Sequence, residues 1–218
     1  MKISASFLSS KDVISDLVKL NETDVDYIHV DIMDGKFVTN KTMPFSEMKN
    51  IYKYTSKRLD VHLMVEDPLS YIPLYASLNT EYITFHVEVD KNIEEILKLI
   101  RSYSIKAGLS IKPNTKVSEL VPYLPFVDMI LVMSVEPGFG GQSFMDSALS
   151  KIKYLKNKKK ECNYNYLIQV DGGINEKTAR LCSENGCEVV VAGTYIFNYV
   201  KNNDEKGLES VIEDLKKL

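Results

Sequence analysis

Histidine and aspartate side chains are threaded through three short apolar segments of the chain. The segment YIHVDIM (residues 27–33) carries His29 and Asp31 two positions apart, DVHLMV carries His62, and LIQVD ends on Asp171. Alternate residues of a β-strand share a face, so His29 and Asp31 point to the same side. Burying imidazole and carboxylate groups without partners is costly. The pattern therefore indicates a site that satisfies these groups.

Two imidazoles and two carboxylates would make a ligand set for one divalent cation. The set consists of His29, Asp31, His62 and Asp171. Nitrogen and oxygen donors suit Zn²⁺, Fe²⁺, Co²⁺ or Mn²⁺ better than an ion that prefers thiolates. We predict one ion per subunit, with Zn²⁺ favoured. The alternative is that core hydrogen bonds satisfy each group separately, but two of the chain's three histidines in matching positions favour the metal.

Other ionisable residues in or near these segments are not expected to bind the metal. His86, in TFHVE, is predicted to pack or to support the site rather than to bind the metal. Asp34 and Asp60 are predicted to be turn or loop carboxylates.

Short apolar runs alternate with longer amphipathic stretches along the chain. Eight runs have the composition of buried strands: KISASF, YIHVDIM, LDVHLMV, YITFHVE, KAGLSI, MILVMSV, LIQVD and VVVAG. Parallel strands need crossover helices, and such units in a chain of 218 residues fit a TIM (β/α)8 barrel, with residues 1–218 as a single domain. The polar clusters would then meet at one mouth of the barrel. A doubly wound open sheet is disfavoured, because polar residues end several strands rather than mark one switch point.

Glycine-rich loops follow the last three strand runs. PGFGGQ follows the sixth run, DGGI the seventh, and AGTYIF places Gly193 and Thr194 at the start of a short helix after the eighth. Loops of this kind and a helix N-terminus form the recurrent phosphate site of such barrels. These loops contain no arginine, so we expect backbone amides and the helix dipole to hold the phosphate. PGFGGQ is also long enough for a lid that closes over substrate.

Composition and charge exclude several other classes of protein. Hydrophobic residues make up 44% and charged residues 26% of the chain, as in soluble globular proteins, and the net charge of -3 gives no general attraction to nucleic acid or an anionic membrane. No apolar run is long enough to span a bilayer. The three cysteines form no C-x-x-C pair, which favours reduced thiols and a cytoplasmic protein.

The motifs together resemble the ribulose-phosphate 3-epimerase family. SASFLSS, HVDIMDGKFV, DVHLMV, FHVE, GLSIKPNT, VMSVEPGFGGQSF, VDGGI and AGTYIF occur in family order over nearly the whole chain. The resemblance implies a metal-dependent TIM barrel that interconverts D-ribulose 5-phosphate and D-xylulose 5-phosphate. It assigns the metal-ligand roles to His29, Asp31, His62 and Asp171. The substrate contacts that it implies are Ser6, His62, Gly138, Phe139, Gly140, Gly141, Asp171, Gly172, Gly173, Gly193 and Thr194.

Epimerisation at C3 of a 2-ketose removes a proton next to a carbonyl and returns one to the opposite face. One base can serve only one face, so Asp31 and Asp171 are predicted to act as base and acid. A divalent cation can stabilise the enediolate between the two steps.

Four departures from the usual family pattern are expected to affect fine substrate preference rather than the ligand set. They are Lys36, Thr39, Pro44 within NKTMPF, and Tyr195.

Three other functions compete with this prediction. A hexulose-phosphate 3-epimerase would share the mechanism, and a Schiff-base aldolase would use Lys112. A phosphosugar-binding module would lack catalysis. The predicted partners are a small ketose phosphate and further copies of the chain, as a dimer or a higher homo-oligomer.

Overall fold

Eight parallel strands close into a barrel. The computed structural model describes residues 1–202 and 207–218, with the backbone alone for residues 199–202. Each strand pairs with the next along the chain, and β8 pairs back to β1. The strands are β1 Lys2–Ser6, β2 Tyr27–Met33, β3 Leu59–Met64, β4 Thr80–His86, β5 Lys106–Ile111, β6 Met129–Met133, β7 Leu167–Asp171 and β8 Val189–Ala192. The closed barrel confirms the predicted TIM fold and rules out the open sheet.

Helices cover the outside of the barrel. They are α1 Val13–Asn21, α2 Phe45–Ile51, α3 Pro68–Ala76, α4 Ile93–Ser102, α5 Ser147–Cys162, α6 Glu176–Asn185, α7 Thr194–Asn202 and α8 Leu208–Lys216. Asp12 caps α1, Asn175 caps α6, and Gly186 ends α6 with a left-handed backbone. None of the helices in the described ranges is both long and apolar enough to cross a bilayer.

The crossover between β5 and β6 is a 3-10 helix, Val117–Phe126, rather than an α-helix. Pro122 and Pro125 lie inside it. Proline lacks the N–H that an α-helix needs for its i to i−4 hydrogen bond, and its ring clashes with the preceding turn. The fifth unit of the barrel therefore crosses over by a tighter and less regular path.

Strand β2 shows how the sequence divides between the two faces of the barrel wall. Ile28, Val30 and Ile32 join the apolar cluster that lies between the wall and the helices. The alternate residues, among them His29 and Asp31, point into the barrel, and all seven residues of the strand are buried. Because both faces are covered, the strand is buried throughout even though one of its faces is polar.

The barrel interior changes from apolar to polar toward its C-terminal mouth. Tyr27, Tyr82, Met129 and Val189 form an apolar cluster at the other end. In the parallel register His29 lies beside Asp60 of β3, and Asp31 lies beside His62. Strand pairing alone therefore places two of the predicted ligands, Asp31 and His62, next to each other and sets Asp60 beside His29.

Candidate active site

Four predicted ligands meet at the C-terminal mouth of the barrel. His29 and Asp31 come from β2, His62 from β3 and Asp171 from the end of β7. Each offers one ligand atom, and all four atoms lie within 4.8 Å of one another. Asp31 Oδ1 is 3.4 Å from His29 Nε2 and 3.2 Å from His62 Nδ1. Asp171 Oδ2 is 3.9 Å from each of the same two nitrogens.

The other nitrogen of His29 faces Asp60, and here the sequence prediction was wrong. Asp60 is not a turn carboxylate: it is a fully buried residue within β3. Its Oδ2 lies 2.9 Å from His29 Nδ1. The same oxygen accepts hydrogen bonds from Ser4 Oγ at 2.7 Å and from Gln169 Nε2 at 2.5 Å. Asp60 therefore orients His29 from below, with its Nε2 toward the ligand cluster.

The other nitrogen of His62 faces a second histidine. His62 Nε2 lies 2.9 Å from His86 Nε2, and His86 Nδ1 lies 3.0 Å from Glu88 Oε2. The predicted supporting role of His86 is thus in accord with its position, since it contacts a ligand and is not one of the four. Asp34 is a turn carboxylate as predicted, accepting hydrogen bonds from the backbone N–H groups of Lys36, Phe37 and Glu66.

Burial and mutual charge shift the pKa values of this cluster in opposite directions. Burial alone would lower the pKa of His29, but the Asp31 and Asp60 carboxylates outweigh it and hold that pKa well above its usual value. Burial would raise the pKa of Asp31, but His29 and His62 lower it. Burial and the neighbouring Asp31 raise the pKa of Asp171 to about 6. Burial lowers the pKa of His86 to about 4, against the opposing effect of Glu88. The two aspartates are therefore unequal: the pKa of Asp171 lies well above that of Asp31.

The donor set fits a divalent cation. His29 Nε2 is buried and makes no hydrogen bond within the described residues. It points instead into the space between the two carboxylates. Nitrogen and oxygen ligands bond Zn²⁺ at about 2.0–2.2 Å, so atoms this close together need only small side-chain rotations to reach one ion. The four residues thus form a possible metal-binding site. Hydrogen bonds within the core do not satisfy all of their polar atoms, because His29 Nε2 has no such partner.

A cavity of about 580 Å³ opens directly above the cluster. Asp31 and Asp171 line its floor, together with the three methionines Met33, Met64 and Met133. His62 is fully buried beneath and is not part of the lining. The other predicted substrate contacts all line the cavity: Ser6, Gly138, Phe139, Gly140, Gly141, Gly172, Gly173, Gly193 and Thr194.

Close backbone packing explains several of the glycines. A Cβ at Gly172 would lie 2.5 Å from Val135 Cγ2, and one at Gly173 would lie 2.4 Å from the backbone nitrogen of Phe144. Both residues have positive φ, +118° and +61°. Such positions favour glycine because other residues clash in that conformation. The cavity wall above β7 is therefore bare backbone.

The opposite part of the wall presents the start of α7. Ser9 Oγ and Thr194 Oγ1 are 2.8 Å apart, and a Cβ at Gly140 would fall 2.7 Å from Ser9 Oγ. None of the described residues that line the cavity is a lysine or an arginine. Backbone N–H groups and hydroxyls are thus the donors available to an anion in this part of the cavity.

Known proteins resemble this chain in sequence and in fold. The ribulose-phosphate 3-epimerase family model matches residues 2–197. Ribulose-phosphate 3-epimerase from Helicobacter pylori strain J99 is 38% identical over 221 residues, covering 99% of this chain and 100% of that protein. The enzyme of the same name from Bacillus subtilis is 37% identical over 196 residues, covering 89% of each chain. This chain belongs to the ribulose-phosphate 3-epimerase family.

Solved structures that resemble this epimerase-family chain are far less similar in sequence. 3-Hexulose-6-phosphate synthase from Salmonella typhimurium superposes with a TM-score of 0.66 at 16% identity, covering 100% of this chain and 99% of that one. N-(5'-phosphoribosyl)anthranilate isomerase from Pyrococcus furiosus gives a TM-score of 0.65 at 11% identity, with 100% of both chains covered. These likenesses support the TIM barrel fold and nothing finer.

The departures from the family pattern lie at different distances from the cavity. Tyr195 lines it. Lys36 and Thr39 are exposed in the loop after β2, and Pro44 is the exposed residue before α2. None of the four residues of the His29, Asp31, His62 and Asp171 cluster is among these departures.

Sequence reasoning missed two residues that contact the ligand histidines or their partners. Glu88 follows His86 by two positions, the same spacing that singled out His29 and Asp31, so the signal was available. Asp60 precedes His62 by two positions, and that spacing also could have identified it. Gln169 was noted only for sharing a face with Asp171. Its hydrogen bond to Asp60 spans 109 residues and depends on closure of the barrel.

Proposed function

We propose that this protein is a metal-dependent 3-epimerase that interconverts D-ribulose 5-phosphate and D-xylulose 5-phosphate. The observation that carries the proposal is the cluster of His29, Asp31, His62 and Asp171 at the floor of a cavity walled by glycine loops. Family membership supports the reaction class, since the relatives named above are epimerases.

Two carboxylates with unequal proton affinities suit a reaction that removes one proton and delivers another. In the metal-free protein Asp31 favours its ionised form and the pKa of Asp171 is raised to about 6, so Asp31 is the candidate base that takes a proton from C3 and Asp171 the candidate acid that donates from its own position. In the reverse direction the roles exchange. Ser6 Oγ donates to Asp31 Oδ2 at 3.2 Å and limits the rotation of that carboxylate.

His29, Asp31, His62 and Asp171 would together hold the metal ion. We propose one divalent ion per subunit, Zn²⁺ first, with Fe²⁺, Co²⁺ or Mn²⁺ compatible with the same donors. When bound, the ion supplies positive charge beside the oxygens on which the enediolate's negative charge develops. Met33, Met64 and Met133 make the surface around the carboxylates apolar and so keep water from the reacting carbon.

The far end of the cavity is suited to the phosphate. Gly172, Gly173 and Gly193 leave backbone exposed there, and α7 begins at Thr194, so the positive end of its helix dipole can face an anion. The β6–α5 loop, with Gly138 and Gly141, would close over the bound sugar. In this way the phosphate fixes the ketose with C3 above the carboxylates.

The decisive test is the substitution of each carboxylate. Asp31→Asn and Asp171→Asn should each lower turnover of D-ribulose 5-phosphate by orders of magnitude while far-ultraviolet circular dichroism stays unchanged. Asp24→Asn is the matched control, because that side chain is 77% exposed and pairs with Lys216 at the other end of the barrel. Near-normal turnover in either site variant would disprove the two-carboxylate mechanism.

Isotope labelling separates epimerisation from isomerisation. Substrate turned over in D₂O should gain deuterium at C3 alone. Label at C1 would instead indicate aldose-ketose isomerisation. A comparison of rates on pentulose and hexulose phosphates distinguishes the proposed substrate from its six-carbon analogue.

The aldolase alternative receives no support from the position of its lysine. Lys112 Nζ lies 3.8 Å from the centre of the Phe37 ring, and the residue does not line the cavity. A borohydride reduction in the presence of substrate should therefore trap no covalent adduct.

The sequence predictions of a cytoplasmic location and a homo-oligomer form part of the same proposal. Three free cysteines, two of them buried, are compatible with a reducing compartment. Cell fractionation and light scattering of the purified protein test the two predictions separately.

A further inference from the structure

His62 and His86 lie next to each other with their Nε2 atoms in hydrogen-bond contact. Their Nε2 atoms are 2.9 Å apart, the ring centres are 5.0 Å apart, and both side chains are fully buried. Two ring nitrogens at this distance can share only one hydrogen, so one histidine donates and the other accepts. The geometry between the two rings does not by itself say which is the donor.

Glu88 decides the direction. Its Oε2 lies 3.0 Å from His86 Nδ1, and an ionised carboxylate can only accept. Its Oε1 already accepts the backbone N–H of Lys112 at 2.7 Å, which favours the charged carboxylate. The proton of a neutral His86 therefore resides on Nδ1 and leaves Nε2 bare. His86 Nε2 must then accept from His62 Nε2–H.

The consequence falls on the other nitrogen of His62. A neutral imidazole with its proton on Nε2 has a lone pair on Nδ1. Nδ1 is the His62 atom that faces Asp31 and Asp171. Its 3.2 Å contact with Asp31 Oδ1 is a hydrogen bond only while Nδ1 carries a proton, and a metal ion held there requires the bare nitrogen. The hydrogen bonds from Glu88 through His86 thus leave His62 Nδ1 bare for a metal ion. Asp60 has the same effect on His29 by contacting its Nδ1 directly.

The outer end of this chain is anchored away from the metal cluster. Lys151 Nζ donates to the carbonyl oxygens of Lys112, Pro113 and Thr115, at 2.8, 2.7 and 2.7 Å, and so fixes the loop after β5, whose Lys112 N–H binds Glu88. The Phe37 ring covers His86, with ring centres 4.8 Å apart. The tautomer of His62 is therefore set by a rigid loop outside the site.

We propose that His86 and Glu88 are positioning residues: Glu88 fixes the tautomer of His86, and His86 fixes His62 with Nδ1 bare toward the metal. The inference rests on the metal centre of the proposed function. It assigns the two residues no contact with substrate. Removing either of them should weaken metal binding without removing a ligand.

Nitrogen NMR of the zinc-loaded protein tests the tautomers directly. The chain has only three histidines, so ¹⁵N labelling of imidazoles gives a spectrum of these three residues alone. His86 should carry its proton on Nδ1 and His62 on Nε2. Glu88 uses one oxygen for His86 and the other for the Lys112 N–H, and in Glu88→Gln one of these two positions becomes an NH2 donor, so the His86 tautomers should become mixed. A wild-type His86 protonated on Nε2 would overturn the proposal.

Zinc affinity, measured by competition with a chelator, provides the second readout. Glu88→Gln and His86→Leu should weaken binding about 10–100-fold, whereas His86→Gln, whose amide can accept from His62 and donate to Glu88, should bind nearly as wild type. Glu81→Gln is the control. Glu81 lies near the start of β4, the strand that ends at His86, and its side chain is 17% exposed like that of Glu88. The Glu81→Gln protein should bind zinc normally. Equal losses in His86→Leu and His86→Gln would overturn the proposal in favour of simple packing.

These readouts are independent of epimerase activity. A wild-type protein with the expected tautomers and affinities but no turnover of D-ribulose 5-phosphate would refute the proposed function and support the positioning role. If His86→Leu does not fold, Glu88→Gln gives both readouts with a milder change.

Discussion

Asp171 is the group in the site whose charge the metal-free fold disfavours most clearly. Its pKa is raised from 3.8 to about 6, because burial and the Asp31 carboxylate both oppose ionisation. Below about pH 3 the carboxyl is largely protonated in both the folded and the unfolded chain, so it imposes no penalty. Above about pH 7 it is largely ionised in both, and the folded state bears the whole free-energy cost of the buried charge. Stability of the metal-free protein should therefore fall as the pH rises through this window.

The size of this cost follows from the pKa difference. A difference of about two pH units corresponds to about 3 kcal/mol at most. The side chain is 19% exposed, and solvent screening reduces the figure, so we expect about 1–3 kcal/mol. Asp171→Asn removes the charge and little else, because the contacts of Asp171 Oδ2 with His29 and His62 are 3.9 Å long.

The metal-free Asp171→Asn protein should therefore be more stable than the wild type. We expect urea unfolding with excess chelator to show a gain of about 1–3 kcal/mol at pH 8, falling to about half at pH 5. Saturating zinc should reverse the order, because the wild type has four ligands and the variant has lost one, and ligands stabilise the state that binds them. The control Asp24→Asn should show no such gain, since Lys216 lowers the pKa of Asp24. A metal-free variant less stable than the wild type at pH 8, or a difference independent of pH, would refute the reasoning.

Three further predictions concern neighbouring residues. Gly173→Ala should lower the free energy of unfolding by about 1–3 kcal/mol and raise KM for the sugar phosphate, because the new Cβ would meet Phe144 backbone at a positive φ; chemical unfolding and steady-state kinetics check this. Asp60→Asn should weaken zinc binding about 10–100-fold, since His29 loses its charged partner, and chelator competition measures it. Lys112→Gln should keep turnover within about tenfold, because the residue lies outside the cavity; a loss of several orders of magnitude would revive the aldolase alternative.

Strand alternation and strand order were enough to predict that His29, Asp31, His62 and Asp171 meet. The period of two places His29 and Asp31 on one face whatever the rest of the fold does, and eight βα units bring the strand ends to one mouth. The glycine-rich loops were also predictable, because runs of glycine directly after the last three strands are visible in the sequence itself. These features depend on residues close together in the sequence or on the general geometry of the barrel.

The roles of Asp60, Gln169 and His86 were decided by the tertiary structure. Asp60 looked like a turn residue by composition, yet barrel closure brings Gln169 onto it from 109 residues away, and burial makes it the partner of His29. The direction of the hydrogen bond between His62 and His86 likewise depends on Glu88 and on a loop anchored from α5. The local sequence pattern determines the face of the strand on which a side chain lies. Its hydrogen-bond partners and the position of its proton depend on strand register, burial and charge across the closed barrel.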